Sequence, residues 1–436
     1  MSASLAVPYP RILRIRQTFE RPVVADIPAA VRVALERLDL GRTIRPGHTV
    51  ALTAGSRGIA NIPVVLRATA DFLKGLGARP FLIPAMGSHG GGTAEGQRQI
   101  IESYGITEEA VGVPIRASME VVSLGSTPEG FPVLLDKHAS QADHIGVVGR
   151  IKPHTNYHGP IESGLLKMMM IGLGKHQGAL AYHRILLEQP YDLVVRSVGR
   201  LMRQKAPIAF GLGLVENAYD ETALVEAVDP DDFERREAEL LILARRWLAR
   251  LPFAQADLLI VDEIGKDVSG SGMDTNVVGR KRSLRFGAAV KPPADAPGAD
   301  FRLPEMRHIF VRGLSAHTHG NATGIGLADF TTTGLVRAMN YRATCINCLT
   351  AGYPDGANIP VHFDTDREVI DAALSIAGTR RPEEARVMHI RNTLCLEEME
   401  VSEACLGEPT RQTEFVPLGP AREMTFDGEG SLPALF

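Results

Sequence analysis

HTVALTAG (48–55), VVLRATADFLKGLG (64–77) and RPFLIPAMG (79–87) together decide the fold class. The outer two are short apolar runs closed by Gly, as buried strands are, while the middle one repeats apolar residues at helical spacing and also ends on Gly. Strand, helix, strand in so short a span is the unit from which parallel sheets are assembled. Further strand candidates are HIGVVGR (144–150), PIAFGLGL (207–214), DLLIVDEIG (257–265), RHIFVRGL (307–314) and ARVMHI (385–390), and DDFERREAELLILARRWLAR (231–250) is a long amphipathic helix. The expected class is α/β, with mixed or parallel sheets flanked by helices.

A chain of 436 residues exceeds what one hydrophobic core usually organises. We expect two domains, 1–255 and 256–436, with the boundary near 250–256, where the long helix gives way to LPFAQAD and a new series of strands. The cleft between them is then the expected active site. AVKPPADAPGAD (289–300) reads as a surface loop, and the last fifteen residues as a tail lying over the surface, returning to the first domain.

Lys and Arg total 47 against 51 Asp and Glu, a formal charge of −4, which leaves no footprint for nucleic acid or an anionic membrane. Small molecules are the expected partners. Pro8, Pro10 and three arginines interrupt the N-terminal segment, and no run of apolar residues reaches membrane-spanning length, so a soluble cytoplasmic protein is expected. Four cysteines cannot scaffold so long a chain; Cys345 and Cys348 are read either as buried thiols or as a redox or metal pair. The oligomeric state stays open.

Ionisable residues cluster where predicted strands end, which is where an open α/β sheet presents its ligand crevice. Arg57 follows the first strand and a turn of small residues, placed either to grip a carboxylate through paired hydrogen bonds or to form a surface ion pair. His89 lies among Gly87, Gly90, Gly91 and Gly92, so backbone can approach a ligand beside an uncrowded imidazole; capping of a helix is the alternative. His154 follows Pro153, and His158 lies four residues on, in a loop with Asn156, Tyr157 and Gly159. Either could be a base, and two opposed histidines could serve alternately as acid and base on the two faces of a stereocentre.

Lys167, in SGLLKMMM (163–170), has unusually apolar neighbours; desolvation of its ammonium would suit a nucleophile or a covalent anchor, and a lysine snorkelling from a buried helix is the plainer reading. His183, sixteen residues on, could return over the same cavity as a neutral metal ligand. Lys175 and His176 could contact a phosphate or simply mark a turn.

The ordered set Arg57, Gly87-x-His89, Pro153-His154, Ser163-Gly164-x-x-Lys167 and His183 resembles the lactate racemase family that uses a nickel-pincer nucleotide derived from nicotinic acid. The resemblance is specific over residues 45–190 and fainter to about 400. It implies that Lys167 forms the thioamide holding the pyridinium-3,5-bisthiocarboxylic acid mononucleotide, that His183 ligates its nickel, and that Ser163, Gly164 and Lys175 border the nucleotide. It also implies that Arg57 orients the substrate carboxylate while His89 and His154 accept the hydroxyl proton, one per enantiomer, as the C2 hydride moves to the pyridinium and back. In the second half, SGSGMDTN (269–276) resembles the segment preceding a basic substrate-site residue; Lys281 is the choice among Arg280, Lys281 and Arg282. Proteins that synthesise the cofactor are the implied partners.

Two departures bear on substrate. Ala54 and Gly58 replace the family's Asp and Pro around the arginine, and the segment from His154 to Lys167 is longer. An enlarged loop bearing Asn156, Tyr157, His158 and Glu162 suits a larger, more hydroxylated acid than lactate, such as a sugar acid or a hydroxydicarboxylate. The alternatives are a hydrolase or lyase with a His-ligated metal, and a non-catalytic carrier of the nickel nucleotide. A dehydrogenase using free NAD is not expected, because no G-x-G-x-x-G opens a helix after the first strand. HTHGN (317–321) reads equally as a loop entering the cleft or as a turn.

Overall fold

A computed structural model describes residues 8–56, 58–281, 302–378, 381–408, 410–411 and 414–435. These form two compact units: residues 20–248, and a second that joins 8–19 to 249–281 and 302–435.

The unit of residues 20–248 is built on a five-stranded sheet in the order Arg79–Pro84, Thr49–Ala54, His144–Arg150, Ile208–Glu216, Thr222–Val228. The first four strands run parallel and the fifth is antiparallel. Side chains alternate across a strand, so each buried strand feeds two cores. Val50, Leu52, Leu82 and Val148 pack on one face with the helices Ile27–Glu36 and Ile62–Gly75. Ala51, Ile83, Ile145 and Val147 point to the opposite face, where Leu165 to Leu173, Tyr191–Lys205 and Phe233–Trp247 cover them. Three layers follow, helices on either side of one sheet, as the strand-helix-strand opening predicts.

The second unit carries a longer mixed sheet. From Val361–Phe363 through Phe330–Thr332, Glu305–Leu314 and Gln255–Ile264 to Val387–Ile390 the strands are parallel; Glu398–Ser402, Arg11–Thr18 and Glu414–Pro417 continue it antiparallel. Ile12, Leu258, Ile260, Phe310, Val387 and the helix residues Val369, Ile370 and Leu374 share its core.

Two expectations based on chain order are corrected here. Arg11–Thr18 does not join the unit that follows it in sequence but pairs with Glu398–Ser402. The C-terminal tail stays in the second unit as well: the Leu432 N–H donates to Asp366 Oδ2 at 2.8 Å, and Arg312 donates to the Leu432 carbonyl. The proposed surface loop 289–300 lies outside the described residues. No helix among the described residues is long and apolar enough to cross a membrane.

Candidate active site

In the unit of residues 20–248 the parallel strands bring three carboxyl ends to one edge. Thr49–Ala54 ends at Gly55-Ser56, Arg79–Pro84 leads into the loop carrying His89, and His144–Arg150 leads to His154. Arg57 itself lies outside the described residues.

The segment bearing Lys167 runs over that edge. It begins as a turn of α-helix, Leu165–Lys167, widens into a π-helical turn over Met168–Leu173, and resumes as Lys175–Ile185 after Lys175 takes the left-handed φ of 55°. Such widened turns are frequent at functional sites. Its closeness to the strand ends is measurable at the glycines: a side chain on Gly55 would meet Met168 Cε at 3.1 Å, and one on Gly87 would meet Ile171 Cγ2 at 2.9 Å and Ala179 Cβ at 3.2 Å. The His89 loop and the Lys167 segment are therefore in direct contact.

Lys167 is half-buried, and its Nζ donates to Ser163 Oγ at 3.4 Å. Ser163 pairs in turn with Lys152 through both backbone bonds, at 3.0 and 3.2 Å. That pairing closes the neck of the loop carrying His154 and ties it to the base of the lysine-bearing turn. His183, also half-buried, sits in the last turn of Lys175–Ile185. The His176 ring lies against Gly92, where an added Cβ would meet its Nδ1 at 3.1 Å, and that buried nitrogen has no hydrogen-bond partner among the described residues.

Gly164 shows why a residue without a side chain precedes this helix. A Cβ there would lie 2.3 Å from Glu237 Oε1, because the Glu237 carboxylate fills the space above the helix N-terminus and accepts the Leu166 N–H at 2.9 Å. Burial raises the Glu237 pKa to about 7, against smaller pulls from the Leu166 and Leu165 N–H groups.

Lys175 takes a bracing position. Its ammonium donates to the Pro84 carbonyl at 2.7 Å and to Gln97 Oε1 at 3.0 Å, and lies 3.5 Å from Asp136 Oδ2. Burial lowers its pKa and Asp136 partly offsets that. Gln97, fully buried, passes the connection on by donating to the carbonyls of Gly87 at 2.8 Å and His89 at 3.3 Å. Lys175 thereby holds the His89 loop through one amide side chain.

Of the basic residues expected in the second unit, Arg280 donates to both oxygens of Asp329 and to the Leu327 carbonyl. Lys281 is 1% exposed, and Arg282 lies outside the described residues. His317 and His319 are exposed.

Sequence reading missed Glu162 as an organising carboxylate, and missed Glu237, Arg245 and Gln97 altogether. A signal was present for two of them. Glu237 and Arg245 occupy the stripe that buries Phe233, Leu240, Leu241 and Ala244, and a charge on a buried helical stripe is costly unless it has a partner.

Taken together, the unit is a three-layer α/β domain with a lysine, histidines and bare glycine backbone gathered at the carboxyl edge of its sheet. Residues 49–193 of this unit match the lactate racemase N-terminal domain family, which bears out over that span the resemblance carried by the sequence motifs. The matched interval contains His89, His154, Ser163, Gly164, Lys167, Lys175 and His183. The solved lactate racemase apoprotein of Thermoanaerobacterium thermosaccharolyticum is similar over 81% of this chain and 100% of its own, at 15% sequence identity and a TM-score of 0.46. No curated protein sequence matches the chain.

Proposed function

We propose that this chain is an isomerase that inverts C2 of a 2-hydroxy acid, with Lys167 as the covalent anchor of a nickel-pincer nucleotide and His183 as the protein ligand to its nickel. The observation that carries this reading is the crossing of the Lys167 segment over the strand ends that bear His89 and His154, inside the stretch matching the lactate racemase N-terminal domain.

The residues present fit such a group. A half-buried primary amine is reachable for acylation, and a half-buried imidazole lies further along the same segment. His176 Nδ1, without a hydrogen-bond partner among the described residues, and the open backbone at Gly91 offer a donor or acceptor and close approach. An imidazole suits nickel, and His183 would be its protein ligand in this reading. When bound, that nucleotide supplies the electron sink for the C2 hydrogen; the protein supplies orientation and proton handling.

In this reading Arg57 holds the substrate carboxylate, and the histidines of the strand-end loops exchange the hydroxyl proton. The ten-residue loop 153–162 favours a substrate larger than lactate, a sugar acid or hydroxydicarboxylate. Loading would depend on proteins that synthesise the cofactor.

The test is epimerisation of a panel of 2-hydroxy acids carrying deuterium at C2, using protein co-expressed with the cofactor-synthesis machinery. Inversion with the deuterium retained at C2 is expected. Wash-out of the label into water, or nucleotide bound with no inversion of any acid, would overturn the reading, the second outcome favouring a carrier.

A further inference from the structure

Sixteen residues separate Lys167 from His183. In one continuous α-helix, at about 100° and 1.5 Å per residue, their side chains would stand roughly 160° apart around the axis and about 24 Å apart along it. The chain does not continue that way. After Leu165–Lys167 the turn widens over Met168–Leu173, Lys175 takes the left-handed φ of 55°, and a new helix runs over Lys175–Ile185. A left-handed residue cannot extend a right-handed helix, so a bend joins the two limbs. The bend is packed tightly beside the end of the strand Arg79–Pro84. A Cβ on Gly172 would meet the Ala85 carbonyl oxygen at 2.9 Å, and one on Gly174 would meet the Met170 carbonyl oxygen at 2.4 Å.

Both limbs meet one loop. Gly87, in the loop that carries His89, lies against Ile171, one turn after Lys167, and against Ala179, one turn before His183; a single added Cβ would meet both, at 2.9 and 3.2 Å. His176, Ala179 and His183 follow one stripe of the second limb, and the His176 ring lies against Gly92 of the same loop. Lys175 holds the bend in place. Its ammonium, 0% exposed, donates to the Pro84 carbonyl at 2.7 Å and to Gln97 Oε1 at 3.0 Å, with Asp136 Oδ2 at 3.5 Å. Glycine would take the left-handed φ without strain, and Gly172, Gly174 and Gly178 show how freely this segment uses it. A lysine at this point is therefore accounted for by its side chain. An ammonium enclosed by these three groups is a tether within the protein rather than a contact for a nucleotide phosphate.

We propose that Lys175 is a positioning residue for the nickel ligand: by tying the bend to the strand end, it fixes the direction of the His183 limb relative to the limb that carries Lys167. The inference rests on the roles of Lys167 and His183 given above, and it puts an internal tie in place of a nucleotide contact by Lys175. Groups that orient a metal ligand without touching the metal are worth about ten- to a hundredfold in metal affinity. The anchor lies before the bend and His183 after it. Releasing the tie therefore acts on the approach of His183 and leaves acylation of Lys167 in place.

Two variants of the full-length protein test this. Lys175→Met combined with Asp136→Asn removes the tether and its carboxylate together, so neither charge is left buried alone, and asparagine can still accept the Ala139 N–H as Asp136 does. Lys175→Gly accepts the left-handed φ but carries no tether. In cofactor-free protein with labelled Ile and Ala methyl groups, the parent should show a nuclear Overhauser contact between Ile171 Cγ2 and Ala179 Cβ, and both variants should weaken or lose it. After co-expression with the cofactor-synthesis proteins, both variants should keep the mass increment at Lys167, while a chelator strips their nickel at a concentration lower by about tenfold or more. An undiminished methyl contact in the variants, or nickel held as in the parent, would overturn the inference. Loss of the increment together with the nickel, in variants that still unfold cooperatively, would overturn it too and return Lys175 to the nucleotide. If the parent itself carries neither nucleotide nor nickel, the functional reading fails, while the methyl contacts still decide whether Lys175 holds the bend.

Discussion

The Glu237 carboxylate accepts the backbone N–H of Leu166 at 2.9 Å, one residue before Lys167. A buried acid on one helix thus caps the N-terminus of the turn that presents the proposed anchor. Capping carboxylates favour a helix start both by satisfying an N–H left over at the terminus and by opposing its positive end. The cost is desolvation, which shows in the raised pKa of the acid.

That pKa gives a signed expectation. Burial lifts Glu237 to about 7 from the ordinary 4.5, so between those values the folded chain holds a proton that the unfolded chain has lost. Stability contributed by this site falls as pH rises across that window, by on the order of 3 kcal/mol at about 1.4 kcal/mol per unit. Glu237→Gln has no proton to lose. Its stability relative to the parent, read by denaturant unfolding below pH 4.5 and again above pH 7, should improve on going to the higher value; a constant difference would contradict the account.

Gly164→Ala should clash with that same carboxylate, since the added Cβ falls 2.3 Å from Oε1. Overpacking of a filled interior costs about 1–3 kcal/mol. Because the obstacle is one side chain, Gly164→Ala made in a Glu237→Ala background should cost markedly less than in the parent, a coupling a double-mutant cycle reads directly. Equal costs in both backgrounds would place the strain elsewhere.

Gln97→Leu should loosen the His89 loop. It removes the donor to two carbonyls, of Gly87 and His89, and the acceptor of the buried Lys175 ammonium. Each group left unsatisfied costs about 1–3 kcal/mol. Lower thermal stability with faster amide exchange across 87–92 is expected, with Lys167 still modified in loaded protein. Unchanged exchange there would show that the brace is dispensable.

In the second unit His389 is buried between Asp262, 2.6 Å from its Nε2, and Glu400, 3.6 Å from its Nδ1. Burial alone would lower its pKa, and the hydrogen bond to Asp262 together with the nearby Glu400 carboxylate outweighs it, holding the ring protonated above the usual 6.5. The stabilisation is therefore full below 6.5 and fades as pH rises through the raised value. His389→Asn should cost about 3–5 kcal/mol in the lower range, as removal of one partner of a buried pair does. The gap to the parent should narrow as the solution becomes alkaline. Leu435 N–H donates to Asp262 at 3.3 Å, so proteolysis of the C-terminal tail should quicken in the variant. A gap that widens with pH would contradict the protonated assignment.

The sheet at the centre of the first unit was legible because its strands are buried on both faces and need only local composition: HIGVVGR matches the strand His144–Arg150 residue for residue. Arg11–Thr18 was not. Its partners lie more than three hundred residues away, as the pairing of Ile12 with Ser402 shows, and such pairing leaves no local mark. At the site, His89, His154 and Lys167 stood out because glycine, proline or apolar neighbours made each of them conspicuous, and His183 by its sixteen-residue interval from Lys167. Lys175 could be read only as a phosphate contact or the mark of a turn, yet its ammonium is buried against Gln97, Asp136 and the Pro84 carbonyl. That His154 Nδ1 accepts the backbone N–H groups of Asn156 and Tyr157 is set by the fold of its loop, and a sequence carries no information on that.

The most direct measurement is intact-protein mass spectrometry with metal analysis, on parent and Lys167→Ala chains co-expressed with the cofactor-synthesis proteins. The account predicts a nucleotide mass increment that maps to Lys167, accompanied by stoichiometric nickel, both absent from the alanine variant. An unmodified parent chain without nickel, in cells that load a known lactate racemase, would contradict it.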